Sequence, residues 1–261
     1  MYAQAVPERI WRQQVLTGMV LLAMAAAYRF IQKDRVSKAM VTLAILIAVL
    51  LLAGTFIDSG VGGVHRWVRV GPALLYSSSI AAPLLILVFG RPAMDSMRWS
   101  TLLSGGCVSL ALAFQPDAAQ TMAFSGALIT LWLLKAQRTA ITWIAILAQL
   151  ACIALAWSRP DPLPPVRYVE GIVLLAAKGG LPLLLAALGT LVLLPLPFFF
   201  LARRGDHLSR AWALGVYFSA CLIAPIFGAF PVPVMGFGAS PIIGYVLALT
   251  WLLSRQKPSP Q

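Results

Sequence analysis

The chain of 261 residues is 60% hydrophobic and 11% charged, and its formal charge of +12 comes from 20 Lys and Arg against 8 Asp and Glu. Its mean hydropathy is +0.87, whereas a soluble domain carries about 25% charged residues, so an ordinary soluble enzyme is excluded and a lipid bilayer is the expected surrounding. The basic excess of such a chain marks cytoplasmic loops and gives no reason to expect nucleic acid as a partner.

Nine apolar segments follow one another near 13–32, 38–56, 73–91, 99–115, 119–135, 140–157, 180–202, 209–228 and 239–254. Each is close to the length that crosses a hydrocarbon core of roughly 30 Å at 1.5 Å per residue. The runs are continuously apolar rather than alternating, which argues for helices and against a barrel. The predicted fold is all-α: a polytopic helical membrane protein of about nine transmembrane helices, forming a single transmembrane domain over 1–261. The opening "MYAQAVPERIWRQQ" shows no small-residue cleavage pattern, so no cleavable signal peptide is expected. Cys107, Cys152 and Cys221 fall far apart inside apolar runs and read as packing residues, not as a disulfide framework or metal site. His207, in the loop "ARRGDHLSR", reads as solvated.

Loop charge sets the expected orientation. The connections at 29–38, 91–98, 135–138, 203–210 and 255–257 hold thirteen of the twenty basic residues, and the opposite side holds seven. That asymmetry puts the amino terminus outside and the carboxyl terminus in the cytoplasm. The outer side then carries the four most unusual stretches.

The first is "GVGGVHRWVRVGP" at 60–72. Val64, Trp67 and Val68 fall at i, i+3 and i+4, which predicts a short surface helix with Trp67 in the headgroups. Arg66 and Arg69 would then reach phosphates, either of ordinary lipid or of a specific ligand. The second is "FQPDAAQ", where Asp117 reads as the N-cap of the next helix. The third is "SRPDPLPPVRYVEG" at 158–171, whose Glu170 opens an apolar run after a proline-rich lead-in. A carboxylate entering an apolar face has a raised pKa, which suits a general base. A helix-terminal acid favoured by the macrodipole is the competing reading. Lys178, two turns on, is a candidate partner. The fourth, "FPVPVMGFGAS", holds two prolines and two glycines; irregular backbone of this kind is expected to line a cavity. Pro195 and Pro197 are expected to kink a helix.

Three of these stretches, in this order, resemble motifs of the SEDS family of cell-division, elongation and sporulation membrane proteins. "HRWVRVGP" resembles the family's GARRWIxLG, "FQPDAAQTMAF" its QPDLGTAL, and "FPVPVMGFGASPIIGYVLAL" its closing G-x-LP-x-TG-x-x-LPF-x-SYGGSS. "ERIWRQQVLTGMVLL" is similar to the RQ-containing second helix, so the chain matches a ten-helix pattern without its first helix. The resemblance implies glycan polymerisation from lipid II at the outer face, with Glu170 at the place of the family's essential aspartate. It also implies a site that includes Ser240 in the closing motif. The family's QPSELAK reads "YSSSIAA" here, so Ser79 and Ala82 stand where it has a glutamate and a lysine.

Two functions follow as alternatives. In one, Glu170 deprotonates an acceptor hydroxyl while Arg66, Arg69 and Arg167 hold the diphosphate of an undecaprenyl-diphosphate-linked glycan. The leaving group then needs positive charge from these arginines or from a divalent metal ion. In the other, the chain is a non-catalytic relative that binds the lipid-linked precursor, or a single-span envelope partner protein, in the same groove.

Overall fold

The computed structural model describes residues 6–31, 37–57, 60–71, 73–91, 99–135, 139–159, 161–203 and 208–253. Lys33, Arg35, Arg98, Arg138, Arg204, Arg255 and Lys257 of the loop count, and His207, lie outside the described residues.

The order of elements is α1 (Glu8–Ile31), α2 (Lys38–Gly54), β1 (Trp67–Val70), β2 (Ala73–Tyr76), α3 (Ser77–Phe89), α4 (Trp99–Phe114), α5 (Ala118–Lys135), α6 (Ala140–Trp157), α7 (Ile172–Lys178), α8 (Leu181–Leu193), α9 (Leu196–Ala202), α10 (Leu208–Ile223) and α11 (Ala239–Leu253). Four helical units, Glu8–Ala27, Ala140–Trp157, Leu181–Ala202 and Leu208–Ile226, are long and apolar enough to cross a membrane. Five shorter apolar helices join them: Lys38–Gly54, Ser77–Phe89, Thr101–Phe114, Ala118–Leu134 and Ala239–Leu253. Four and five make nine among the described residues, one for each apolar segment of the sequence. The chain is a polytopic helical membrane protein. Leu16 and Met19 on α1, Ile144 and Leu147 on α6, and Leu185 and Val192 on α8 are exposed, as side chains facing lipid must be. Pro195 interrupts the seventh unit, ending α8 and starting α9.

One segment differs from its expected form. Residues 67–76 make an antiparallel hairpin, not a surface helix, with Trp67 opposite Tyr76 and Val70 opposite Ala73. The reason is local. Gly60, Gly62 and Gly63 have φ of 73°, 59° and 80°, and Gly71 turns the chain at φ 57° between the paired Val70 and Ala73. Left-handed glycines break a helix and serve a turn. The β-branched Val68 and Val70 then suit a strand.

The centre of the bundle is α3, whose residues are buried along its whole length. It packs against α2, α5, α10 and α11, while α5 and α10 form the most extensive helix pair. The approach of α11 to α3 rests on two residues. Pro83 has no N–H to return to the carbonyl of Ser79, four residues earlier. Gly244 of α11 lies directly over that carbonyl, and a Cβ there would stand 2.0 Å from the Ser79 oxygen. Small residues at helix crossings allow such contact in lipid. The contact fixes Ser240, one turn earlier, against the hairpin, where its Oγ accepts the Tyr76 N–H at 2.9 Å.

Gly244→Ala should therefore force α11 off α3 and cost about 1–3 kcal/mol, the usual range for overpacking. Gly189→Ala is the control, since nothing lies within 4 Å of a Cβ there. Thermal unfolding in detergent, followed by tryptophan fluorescence, compares them; equal midpoints would contradict the close-contact account.

Candidate functional site at the hairpin end of the bundle

The hairpin, the α4–α5 turn, the 158–171 loop and the 227–238 loop meet at one end of the bundle. The hairpin, the two loops and the start of α11 enclose a cavity of about 450 Å³ lined by Arg66, Trp67, Tyr76, Glu170 and Ser240 among its polar or aromatic residues, with Leu74, Leu163, Val166, Val169 and Phe237 among the apolar ones.

Arg66 enters from the residue before β1, where its carbonyl accepts the Ser77 N–H at 3.0 Å. The residue is 2% exposed. The guanidinium Nη2 donates to the Pro116 carbonyl and pairs with Asp161 Oδ2 at 2.8 Å. The group also stands 5.5 Å above the Phe230 ring. Burial acts to lower the Arg66 pKa, but Asp117, Tyr76 and Asp161 outweigh it and raise the group above its ordinary value. Arg66 is charged, and its charge is largely engaged.

Beneath the cavity lies a buried polar cluster. Asp117 is fully buried and accepts from the Tyr76 hydroxyl at 2.9 and 2.8 Å, from Ser78 at 3.0 Å and from the Gln120 N–H at 3.3 Å. The last bond is an N-cap contact to α5, the role its position before the helix implies. Tyr76 thereby stands upright in the cavity, tilted against Trp67 with ring centroids 6.0 Å apart. Gln120 continues the chain inward by accepting from Tyr217 at 2.7 Å.

Glu170 is half-buried at the cavity wall. Its Oε2 accepts the Val166 N–H at 2.6 Å, closing the turn that precedes α7. Burial raises its pKa above the usual carboxylate value, the Val166 and Glu170 amides lower it, Asp161 raises it and Arg66 lowers it.

The opposite wall is the 227–238 loop, which lacks regular structure, as its prolines and glycines require. Phe237 N–H donates to Tyr168 O at 2.8 Å, and Gly236 lies so near Val169 O that a Cβ would stand 2.6 Å away. Gln14 of α1 braces it from behind. Its Nε2 donates to Val234 O at 2.7 Å and to Gly236 O at 3.0 Å, and its Oε1 accepts the Gly238 N–H at 3.1 Å.

Four of the residues singled out in the sequence, Arg66, Trp67, Glu170 and Ser240, thus line one cavity, with Asp117 supporting it from below. The others stand apart. Arg69 is exposed on β1 opposite Leu74, Arg167 is exposed in its loop, and Lys178 is exposed at the end of α7; none lines the cavity. Tyr76, Asp161 and Gln14 are the residues that sequence reasoning missed. A tyrosine, an aspartate in a proline-rich loop and a helix glutamine carry no spacing signal, because their partners lie 41, 95 and more than 200 positions away in the chain.

A divalent ion finds few ligands here: among the described residues no three His, Cys, Asp or Glu side chains gather. Glu170 is the one carboxylate lining the cavity, so these residues do not form a protein-held metal site.

The crystal structure of the rod shape determining protein RodA of Thermus thermophilus matches with a TM-score of 0.68 at 18% identity, over 97% of this chain and 90% of that one. A mutant form of the same protein matches equally. The chain has the fold of RodA. RodA is a SEDS protein, so the fold agrees with the resemblance seen in the sequence. No protein-family model matches the chain, and no curated protein matches it in sequence. The RodA fold here places the RW, QPD and closing-loop motifs around one cavity.

Tyr76→Phe should remove both hydroxyl bonds to a buried carboxylate and cost about 2–3 kcal/mol, as hydrogen bonds to charged groups do. Ser78→Ala should cost less. Chemical unfolding in detergent measures both, and a neutral Tyr76→Phe would show that Asp117 needs no hydroxyl.

Proposed function

We propose that the chain is a SEDS-like protein of the bacterial inner membrane that takes an undecaprenyl-diphosphate-linked sugar at the outer face and transfers it, with Glu170 as general base. The convergence of Arg66, Trp67, Glu170 and Ser240 on one cavity is the observation that carries this reading. Glu170 removes a proton from the acceptor hydroxyl, whose oxygen forms the new bond to the sugar's anomeric carbon. The bond from that carbon to the diphosphate breaks, and undecaprenyl diphosphate leaves with the electron pair. Arg66 offsets the charge on the leaving oxygens. The cell-shape role in the name of RodA supports a place in the envelope machinery, where a single-span partner protein is the expected companion.

A second reading, binding of the lipid-linked precursor without transfer, has its own support. Arg66 is engaged by Asp161, and Glu170 Oε2 is engaged by Val166. Ser79 and Ala82 are buried in α3, where the family resemblance would have charge.

Glu170→Gln separates the two. It keeps the shape and cannot take a proton, so transfer should fall by about 10²–10⁴-fold, while precursor binding and protein level hold. Glu170→Asp should retain part of the activity. Complementation of an envelope defect at matched protein level reads the outcome, and full complementation by the glutamine variant leaves only the binding reading.

The raised pKa of Glu170 has a sign that can be checked. A carboxyl raised in the folded state stabilises most when both states are protonated, below the unfolded value. That contribution is lost as pH rises through the folded value. Wild type should therefore lose stability relative to Glu170→Gln as pH rises past the usual carboxylate range, and transfer should rise over the same window. Parallel pH curves for the two proteins would contradict the assignment.

Orientation is tested separately. A cysteine replacing the exposed Arg167 should react with an impermeant thiol reagent from outside the cell, and one replacing the exposed Arg203 should not. The reverse pattern would move the cavity to the cytoplasm.

A further inference from the structure

Arg66 is the one basic residue among the described residues that line the cavity, and its charge faces a carboxylate of the chain itself. We propose that Asp161 is a displaceable internal counter-ion, holding the guanidinium that the diphosphate of a lipid-linked ligand takes over on binding. This rests on the precursor-binding reading above and adds to it a residue that sets affinity and selectivity for the anionic headgroup.

The two partners of Arg66 differ in how firmly they are held. The Pro116 carbonyl belongs to the buried turn ahead of α5, beside the four-fold bonded Asp117, and keeps the guanidinium in place when its other side is released. Asp161 is on a loop. Its Oδ1 accepts the Leu163 N–H two residues on at 3.1 Å, and its Oδ2 meets Arg66. The next residues, Pro162, Leu163, Pro164 and Pro165, include three without an N–H to pin to the bundle. Short proline-rich stretches are stiff and move as a piece. Leu163 rests near Gly62, and Leu163, Pro164, Val166 and Glu170 all line the cavity. Releasing Asp161 therefore frees the proline-rich stretch around Leu163, while Tyr168 and Val169 stay bonded to the 227–238 loop.

Arg66 also keeps unused capacity. Its Nε is buried with no hydrogen-bond partner among the described residues. A guanidinium presents five donors in a fork that matches phosphate oxygens in pairs. A diphosphate carries more negative charge than one carboxylate and offers enough oxygens for both Nε and the position held by Asp161. Exchange of Asp161 for diphosphate leaves the guanidinium more fully satisfied, so the ligand wins where a neutral lipid alcohol does not.

The test uses the purified full-length protein in detergent, with geranylgeranyl diphosphate and geranylgeraniol as probes that differ only in the headgroup. Asp161→Asn keeps the size of the side chain and removes its charge. It should bind the diphosphate roughly tenfold tighter than wild type and the alcohol no better. The gain should vanish when Arg66→Gln is added. Equal or weaker diphosphate binding by Asp161→Asn, with wild type binding normally, overturns the counter-ion while precursor binding stands. A gain that persists without Arg66 overturns it as well. If neither protein prefers the diphosphate to the alcohol, both readings fall. A second measurement leaves Asp161 in place. With the three native cysteines replaced by alanine and a cysteine at Leu163, labelling by an impermeant thiol reagent should quicken on adding the diphosphate and not the alcohol. An unchanged rate overturns the displacement.

Discussion

A guanidinium withdrawn from water costs several kcal/mol unless its N–H groups and its charge are met by the protein, and the hairpin end of this bundle is organised around meeting that demand. Arg66 draws together the turn before α5 through Pro116, the 158–171 loop through Asp161 and the 227–238 loop through Phe230. These segments are far apart in the chain, and the two loops also meet each other where the Phe237 N–H donates to Tyr168 O. The cavity is the space they leave above the arginine. Its walls thus depend in part on one charge, which also holds the loop that carries Glu170, nine residues beyond Asp161.

Below Arg66 the structure passes from loop geometry to bilayer packing through a run of hydrogen bonds. Tyr76 and Ser78 hold Asp117, Asp117 caps α5, and Gln120 of that first turn accepts from Tyr217 of α10. The α5–α10 pair is the largest helix contact, so the floor of the cavity is tied to the best-packed part of the membrane domain. A fully satisfied polar network in a low-dielectric interior is rigid, because breaking one bond strands its partner. The opposite wall is held differently. Gln14 braces the 234–238 segment from α1, a helix that packs chiefly on α11 and otherwise faces lipid. One wall is anchored in the core, and the 234–238 end of the other is braced from a peripheral helix.

The parts legible in the sequence are those governed by one-dimensional patterns. Hydrophobic run length marks nine membrane segments, and the structure resolves them into the nine apolar helical units described above. Pro195 marks the break between α8 and α9, and the prolines and glycines of 231–238 mark an irregular loop. Residues 60–76 mislead because Val64, Trp67 and Val68 satisfy a helical spacing while Gly60, Gly62, Gly63 and Gly71 require turns. Backbone conformation decided that contest against side-chain periodicity. Asp117 was legible as a helix cap, since a cap needs only its own neighbours. Its grip on Tyr76, the pairing of Arg66 with Asp161 and the seat of Gly244 on Ser79 were not, because each depends on which helices become neighbours in space. The same reason separates Arg66 from Arg69: three residues apart in one motif, one is buried in the cavity wall and the other is exposed.

The charge balance of the cavity bears on what the site demands of a ligand. One guanidinium faces Asp161 directly, Glu170 lines the same space, and Asp117 lies behind Tyr76. A diphosphate that merely binds needs one of these carboxylates to step aside, since a phosphate pair on Arg66 replaces an interaction already present. Transfer asks for more. Negative charge grows on the leaving oxygen as the sugar bond breaks, and it must be met by donors already aimed at it. Arg69, Arg167 and Lys178 point elsewhere, and Ser79 and Ala82 bring no charge through α3. Arg66 must then serve binding and departure alike, unless the ligand brings its own counter-cation. The enzyme and binding readings thus differ by a single positive charge beside the diphosphate, and on the counter-ion proposal Asp161 sets how much of Arg66 reaches it.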